Sequence, residues 1–415
     1  MVFNTYETVA LACLVLLLGY FLVKRVRVLN YYNIPEPVVG GFIVAVVLTA
    51  VHEIWGLSFT FDKELQTTMM LVFFSSIGLS ANFARLAKGG LPLVVFLIVA
   101  GGLIFLQNTV GIFSSLAVGL DPAYGLIAGS ITLTGGHGTG AAWAETLTET
   151  FHIQGAMEVA MACATFGLVS GGILGGPVAS FLLKRMHKDK VQEDENLDDI
   201  QETFEKPVYR RKLNARSIIE TMAMMAICLI VGKWLNDYVK ANVSIKFFHF
   251  PAFVWCLFVG TIIRNTLAHL FKFKVADEAN DVLGSVALSL FLAVALMSLK
   301  LWELAGLGAQ ISIVLAIQVV VMAAYAIFIT YRVMGKDYDA VVLSAGHCGF
   351  GLGATPTAVA NMQSVTANFG PSHKAFLIVP MVGAFFIDII NSFLLNIFVV
   401  VAEYFQLFFL ARQHA

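Results

Sequence analysis

Two glycine clusters carry the groups in this chain that are best suited to binding a small ligand. The first occupies residues 135–140 and reads GGHGTG, and the second occupies residues 346–353 and reads GHCGFGLG. Glycine is costly inside a helix, so each cluster is expected to break one. Free N–H groups at the start of a helix attract carboxylates, while unwound carbonyls and hydroxyls coordinate a small cation.

The candidate substrate- and ion-binding residues surround these clusters, together with one acidic residue in a later apolar run. They are Thr134, Gly135, Gly136, His137, Gly138, Thr139, Gly140, Ser344, Gly346, His347, Gly349, Gly351, Gly353, Thr355, Thr357 and Asp388. Neither cluster contains arginine, so an anion would be recognised mainly by backbone dipoles and hydroxyls. His137 and His347 are expected to hold equivalent places, where they either brace the turns through backbone carbonyls, contact the ligand or respond to protons. Gln107, Asn108 and Gln318 are expected to form hydrogen bonds between helices rather than to bind the ligand.

The elements around the clusters are apolar enough to cross a membrane. The chain has 415 residues, of which 58% are hydrophobic and 13% charged, whereas soluble domains carry about 25% charged residues. Ten long apolar segments predict an all-α membrane protein with ten transmembrane helices, at about 8–23, 38–55, 67–81, 91–118, 156–183, 217–236, 250–270, 282–299, 306–331 and 375–405.

Two further segments, about 123–150 and 339–366, are moderately apolar and are interrupted by the glycine clusters. Each limb of about 12 residues would reach roughly 18 Å as a helix, which is near half of a bilayer. We therefore expect both segments to be re-entrant hairpins.

The distribution of Lys and Arg predicts the orientation. With the N-terminus outside and only the ten long segments crossing, 20 of the 26 basic residues fall in inside loops. Cytoplasmic loops are the ones enriched in Lys and Arg. The chain is therefore expected to have both termini in the periplasm and residues 184–216 in the cytoplasm.

The same layout predicts two halves, 1–183 and 217–415, joined by the linker 184–216. Each half has five spans and one hairpin, and because five is odd the halves must have inverted topology. Glycine-interrupted segments at matching places in inverted halves are typical of the substrate site of secondary transporters.

Other classes fit the sequence less well. A net charge of -1 argues against a nucleic-acid partner. A channel would need a continuous polar pore, and an intramembrane enzyme would need a nucleophile–base pair, which neither cluster offers. We expect no enzymatic activity and no cofactor. A carrier of citrate or of another carboxylate shares the inverted-hairpin arrangement and remains an alternative at this stage.

At these residues the chain resembles the bacterial sodium/glutamate symporter family. The resemblance lies in the stretches 34–38, 128–143, 158–167, 345–358, 369–373 and 379–388. It implies an inner-membrane carrier that couples Na⁺ entry to L-glutamate uptake, a homodimer, and elevator-like motion of two inverted domains. The partners it implies are L-glutamate, Na⁺ as the co-transported ion, and the lipid bilayer. Uptake of another carboxylate, such as aspartate or a citrate-like acid, is the alternative function.

Overall fold

The computed structural model describes residues 2–32, 34–83, 90–185, 213–244, 250–270, 275–301 and 307–413. Residues 186–212, which form most of the expected linker, lie outside the described residues. The helices of the first half are α1 (Thr5–Arg25), α2 (Arg27–Tyr31), α3 (Glu36–Trp55), α4 (Lys63–Ser80), α5 (Gly90–Ala117), α6 (Pro122–Leu126), α7 (Gly136–Phe151) and α8 (Ala156–Arg185).

The second half contains eight further numbered helices among the described residues. They are α9 (Ala215–Asn242), α10 (Ala252–Leu270), α11 (Asp277–Met297), α12 (Gly308–Tyr325), α13 (Tyr338–Leu352), α14 (Thr355–Phe369), α15 (His373–Met381) and α16 (Ile387–Gln413). Three π-helical turns extend α6, α12 and α15, at Ile127–Ile131, Ala326–Thr330 and Val382–Phe386. One short helix, Tyr331–Val333, continues α12. The described part of the chain is therefore all-helical, apart from the isolated bridge between Val2 and Thr60.

Nine helices of the described residues are long and apolar enough to cross a membrane: α1, α3, α5, α8, α9, α10, α11, α12 with its extension, and α16. Each overlaps a predicted span, although α16 begins at residue 387 and the span predicted at 375–405 also covers most of α15. The remaining predicted span, 67–81, falls in α4, which begins with the charged residues Lys63 and Glu64 and is not among the nine. The multi-pass membrane character is thus confirmed.

The helices pack as two groups. The six-helix group contains α1, α3, α4, α9, α10 and α11, which contact one another extensively, and the broken-segment group contains α5–α8 and α12–α16. Contacts between the groups are sparse. Close packing within the first group depends on small residues: a Cβ on Gly78 of α4 would lie 2.2 Å from the Leu257 carbonyl oxygen of α10. Such close approach is typical of membrane helices.

Two segments of the broken-segment group fold back on themselves. In the second broken segment (α13–α14), the Tyr338 hydroxyl at one end donates to the Gly370 carbonyl at the other. In the first broken segment (α6–α7), the ends are joined by the Gln406 amide of α16, which donates to Asp121 at 2.8 Å and to the Phe151 carbonyl at 3.0 Å. Each segment therefore returns to the place where it started.

Candidate functional site

The first broken segment starts with an aspartate cap and is interrupted by glycine. The Asp121 carboxylate accepts the N–H of Ala123 at 2.9 Å, and burial raises the pKa of this carboxyl. After the π-helical turn, residues 132–135 leave the helix, and α7 begins at Gly136 with φ +67°. A positive φ disfavours any residue with a Cβ, so glycine is required where the chain turns back.

The second broken segment is interrupted for only two residues. It also starts with an aspartate cap, because Asp337 accepts the N–H of Ala340 at 2.8 Å. Helix α13 ends at Leu352, Gly353 has φ −143° and ψ −95°, and α14 begins at Thr355. Proline follows at position 356, where its missing N–H costs nothing because first-turn N–H groups have no helical partner.

The two interruptions meet, and the side chain that joins them is Gln107 of α5. Its amide nitrogen donates to the Gly351 carbonyl at 2.7 Å, and its amide oxygen accepts the Thr134 hydroxyl at 2.7 Å. A Cβ on Gly136 would lie 3.5 Å from the Gly353 carbonyl oxygen. The Gly351 carbonyl is one of the last in α13 and lacks a helical partner, so Gln107 satisfies an orphan acceptor.

Gln107 was expected only as a hydrogen-bonding group between helices. That interpretation is confirmed, and the structure adds its place between the two interruptions. Gln318 of α12 donates to the Gln107 carbonyl at 2.7 Å, so the polar core extends to a third helix. The signal in the sequence was the pair Gln107 and Asn108 inside the apolar helix α5. Both side chains are buried, and a polar side chain in a membrane span is energetically costly unless it has a hydrogen-bond partner.

A second polar cluster lies beside the first interruption. Asn391 of α16 accepts the Ser130 hydroxyl at 2.7 Å and donates to the Ser130 carbonyl at 3.1 Å, while Asn108 accepts the Ser130 N–H at 3.1 Å. Asp388 lies one helical turn before Asn391 and is partly exposed. Among the described residues, no hydrogen bond or ion pair to the Asp388 carboxylate occurs. Sequence reasoning selected Asp388 but missed Ser130 and Asn391.

The helices that start at the interruptions present first-turn N–H groups, of which that of Gly136 donates to the Thr132 carbonyl at 2.9 Å, while Pro356 has none. Neither α7 nor α14 has a side-chain cap at its N-terminus. The first-turn N–H groups of a helix have no partner within the helix and carry the positive end of its dipole. Thr357, in the first turn of α14, is 2% exposed, and its hydroxyl has no partner within the described structure. This arrangement suits a carboxylate.

The two histidines do not occupy equivalent places, so that expectation is wrong. His137 lies after its interruption, in the first turn of α7, whereas His347 lies before its interruption, inside α13. The glycines of 346–351 are helical and serve packing. The similar sequences of the two glycine clusters therefore do not correspond to equivalent helix breaks. The true counterpart of the first break is the short step at Gly353.

Both histidines bond to threonine hydroxyls of neighbouring helices. His137 Nε2 is 3.0 Å from the Thr165 hydroxyl, which itself donates to the Met161 carbonyl, so the imidazole is the donor in this pair. His347 Nδ1 is 2.9 Å from the Thr330 hydroxyl, and its ring contacts those of Phe96, Tyr325 and Phe350. These contacts favour the bracing interpretation over ligand contact.

Several other candidates serve packing in this structure. The Ser344 hydroxyl donates to the Ala340 carbonyl of its own helix at 2.7 Å. A Cβ on Gly349 would lie 2.4 Å from Ala358 Cα, and one on Gly346 would lie 2.9 Å from Met362 Sδ, so both glycines let α14 pack closely on α13. Ser344 and Gly346 are not brought to the junction, whereas the Gly349 carbonyl accepts the N–H groups of Gly353 and Ala354 at the second interruption.

The first-segment glycines face different neighbours. A Cβ on Gly138 would lie 2.9 Å from Phe73 Cε1 of α4, so Gly138 contacts the six-helix group. Gly135 lies beside Thr139, and Gly140 packs near the Thr132 methyl group. The carboxylate of Glu158 accepts the Lys300 backbone N–H at 2.7 Å, which makes Glu158 a contact between the two groups.

Comparison with known proteins identifies the family. The family model described as sodium/glutamate symporter matches residues 1–371. The chain belongs to the sodium/glutamate symporter family. It is similar to a sodium/glutamate symporter of Haemophilus influenzae, with 68% identity over 395 residues, covering 95% of this chain and 97% of the relative.

Two further members of the family match over the same length. The sodium/glutamate symporters of Escherichia coli and Shigella flexneri are each 51% identical over 395 residues, covering 95% of this chain and 97% of each relative. The resemblance drawn from the glycine-rich motifs is thus confirmed. Membership of this family together with the apolar helices makes the chain a multi-pass membrane transporter.

Proposed function

We propose that the protein couples Na⁺ entry to the uptake of L-glutamate across the inner membrane. The observation that carries this proposal is the junction at Gln107, where two interrupted helical segments meet deep in the protein. Uncapped N-termini and free hydroxyls at such a junction suit the carboxylates of an amino acid, and carbonyl oxygens suit an alkali cation. The substrates named for the relatives agree with this chemistry.

Within this site we assign the first turns of α7 and α14 to the substrate carboxylates. Near these turns Thr139 carries a hydroxyl, whereas the hydroxyls of Thr134 and Thr355 already donate to Gln107 and to the Gly383 carbonyl and offer a ligand only their lone pairs. The Na⁺ ligands are assigned to carbonyl oxygens at the two interruptions, with the Asp388 carboxylate balancing the charge. The position of Asp388 within an apolar helix supports this role, because an ionisable group inside a membrane span is costly and usually has a function.

The proposed topology has ten spans, with α4 as the tenth, in two inverted halves of residues 1–183 and 217–415. Both broken segments are re-entrant, the first from the periplasm and the second from the cytoplasm, and both termini are periplasmic. The return of each segment to its starting place supports this layout, as does the excess of basic residues on one side. Thiol reagents should therefore reach the two interruptions from opposite faces.

We also propose that the broken-segment group moves against the six-helix group in an elevator-like step. Sparse contacts between the groups support this movement, because few interactions must be exchanged when one group slides. A homodimer is proposed on the family resemblance. Light scattering of the detergent-solubilised protein should give the mass of two chains, and the mass of one chain would contradict the dimer.

Reconstituted uptake tests the function directly. Proteoliposomes with an inward Na⁺ gradient should accumulate labelled L-glutamate, and replacement of Na⁺ by K⁺ or by a proton gradient should abolish accumulation. Unlabelled aspartate and citrate, added in excess, distinguish glutamate from another carboxylate as the principal substrate. Full accumulation driven by protons alone would overturn the Na⁺ coupling, and stronger competition by citrate than by glutamate would favour the alternative carrier.

A further inference from the structure

A cavity of about 450 Å³ leads from the first turn of α14 toward one end of the protein. One wall is α14, which contributes Thr357, Ala360, Asn361 and Ser364 at helical spacing. The facing wall is α8, which contributes Gly172, Ile173 and Gly176, and Tyr31 and Tyr32 lie at the mouth. The volume lies in the range of small-molecule sites, which is about 300–1,000 Å³.

The inner end of the cavity is polar and contains side-chain groups that can still form hydrogen bonds. Thr357 is 2% exposed, and its hydroxyl has no partner within the described structure. Asn361 donates its amide nitrogen to the carbonyls of Gly171 and Ala345, at 2.9 and 3.2 Å, and no described group bonds to its amide oxygen. The cavity thus offers a donor at the positive end of α14 and a free acceptor one turn later.

The glycines of α8 keep this space open. A Cβ on Gly172 would lie 3.6 Å from the Thr357 methyl group and 3.9 Å from Tyr32 Cδ1, so a larger side chain there would enter the cavity. Tyr31 at the mouth is 78% exposed, whereas Thr357 at the inner end is buried. The cavity therefore runs from the surface to the α14 terminus that we assign to the substrate.

The mouth lies at the basic end of the protein. Helix α1, which leads to the two tyrosines, has Lys24 and Arg25 in its last turn, and α8 ends with Lys184 and Arg185. Basic residues at helix ends mark the cytoplasmic side. The cavity therefore faces the cytoplasm in this conformation.

We infer that this cavity is the cytoplasmic release site of the transported amino acid, where Thr357 binds a carboxylate and Asn361 binds the ammonium group. The assignment rests on the proposed function, because it requires a carboxylate-bearing amino acid as the substrate. A neutral hydroxyl and an amide oxygen hold both charged ends without the strong ion pairs that would slow release. Small residues on α8 and a mouth open to solvent suit a site that must empty.

Filling the cavity tests this inference. Ala360→Phe places a ring in the cavity from an exposed position on α14, and Ala367→Phe makes the same change on the same helix outside the cavity. We expect Ala360→Phe to lower both net uptake and glutamate exchange by about tenfold, a barrier increase of ~1.4 kcal/mol. Thermal stabilisation by Na⁺ with glutamate should persist, since the site at the junction remains.

A second pair of variants tests the carboxylate contact without adding bulk. In inside-out membrane vesicles, Thr357→Val should raise the apparent KM for glutamate on the cytoplasmic face by about tenfold, through loss of one hydrogen bond to a charged group. Thr357→Ser keeps the hydroxyl and should restore the wild-type KM.

The release site would be overturned if Ala360→Phe transported as fast as Ala367→Phe, or if it lost stabilisation by Na⁺ with glutamate together with transport. An unchanged KM in Thr357→Val would show that Thr357 does not bind the carboxylate, and this result would overturn the inference. These outcomes are separate from failure of the proposed function, in which the wild-type protein itself would show no Na⁺-dependent glutamate uptake.

Discussion

Replacing Gln107 with leucine should reduce Na⁺-driven glutamate uptake by about tenfold to a hundredfold, because two buried polar groups lose their closest partner and keep only the 3.3 Å hydrogen bond from the Thr134 hydroxyl to the Gly351 carbonyl. The Gly351 carbonyl loses a donor at 2.7 Å, and the Thr134 hydroxyl loses an acceptor at the same distance. An unsatisfied buried polar group costs about 1–3 kcal/mol, and each 1.36 kcal/mol corresponds to about tenfold. Leucine has a similar size, so the loss comes from hydrogen bonding rather than from volume.

The matched control is Gln363→Leu, which changes an exposed glutamine of α14 that lines neither the junction nor the cavity. Both variants are compared as initial uptake rates per inserted transporter in proteoliposomes. A Gln107→Leu protein that transports at the rate of the control would show that the contact between the interruptions does not matter for transport.

Replacing Gly349 with alanine should nearly abolish uptake, because a single methyl group has no room there. The new Cβ would lie 2.4 Å from Ala358 Cα and 2.5 Å from Ala358 N, and backbone atoms cannot move aside without separating α13 from α14. Overpacking of this kind costs typically about 1–3 kcal/mol, and here it acts on the hairpin that carries the site. Thermal unfolding and uptake of the purified protein measure both effects.

Two other glycines serve as controls, because an added Cβ would meet less obstruction there than at Gly349. At Gly351 the nearest atoms to a Cβ are the flexible ends of Leu103 and Met322, so alanine should be better tolerated than at Gly349. At Gly308 no atom of the described residues lies within 4 Å, so alanine should have no effect. An equal loss of uptake at Gly308 and Gly349 would mean that close helix packing is not the reason for the glycines.

The positions of the broken segments could be predicted closely from the sequence. The expected hairpins at 123–150 and 339–366 correspond to Pro122–Phe151 and Tyr338–Phe369, counting both helices of each. Glycine and proline act on the backbone locally, so their effect is visible without any tertiary information. The apolar runs were equally informative, because the bilayer fixes the length of a span.

The side-chain contacts at the site could not be predicted from the sequence, because they depend on how the helices pack together. Which polar residue of α5 would face the interruptions depends on how that long helix is rotated, so the bridging role of Gln107 was not visible in sequence. The equivalence expected of His137 and His347 failed for a similar reason. Glycine serves both helix breaks and close helix packing, and a sequence pattern does not separate the two uses.

The division of the helices into two groups could not be predicted from the hydropathy pattern either. All spans are apolar on most faces, so hydropathy does not reveal which helix contacts which neighbour. The contact of Gly138 with Phe73 illustrates the consequence. Its close approach was expected to be toward a ligand, yet in this structure it is toward a helix of the other group.

Protection of cysteines at the two interruptions tests most directly whether they form one shared substrate site. Thr139→Cys and Thr355→Cys place one thiol on each broken segment, and a small polar thiol reagent is applied to each face of the membrane in turn. We expect Thr139→Cys to react from the periplasm and Thr355→Cys from the cytoplasm. Saturating Na⁺ with L-glutamate should slow both reactions, whereas protection of neither thiol, in variants that still transport, would contradict a shared site at the junction.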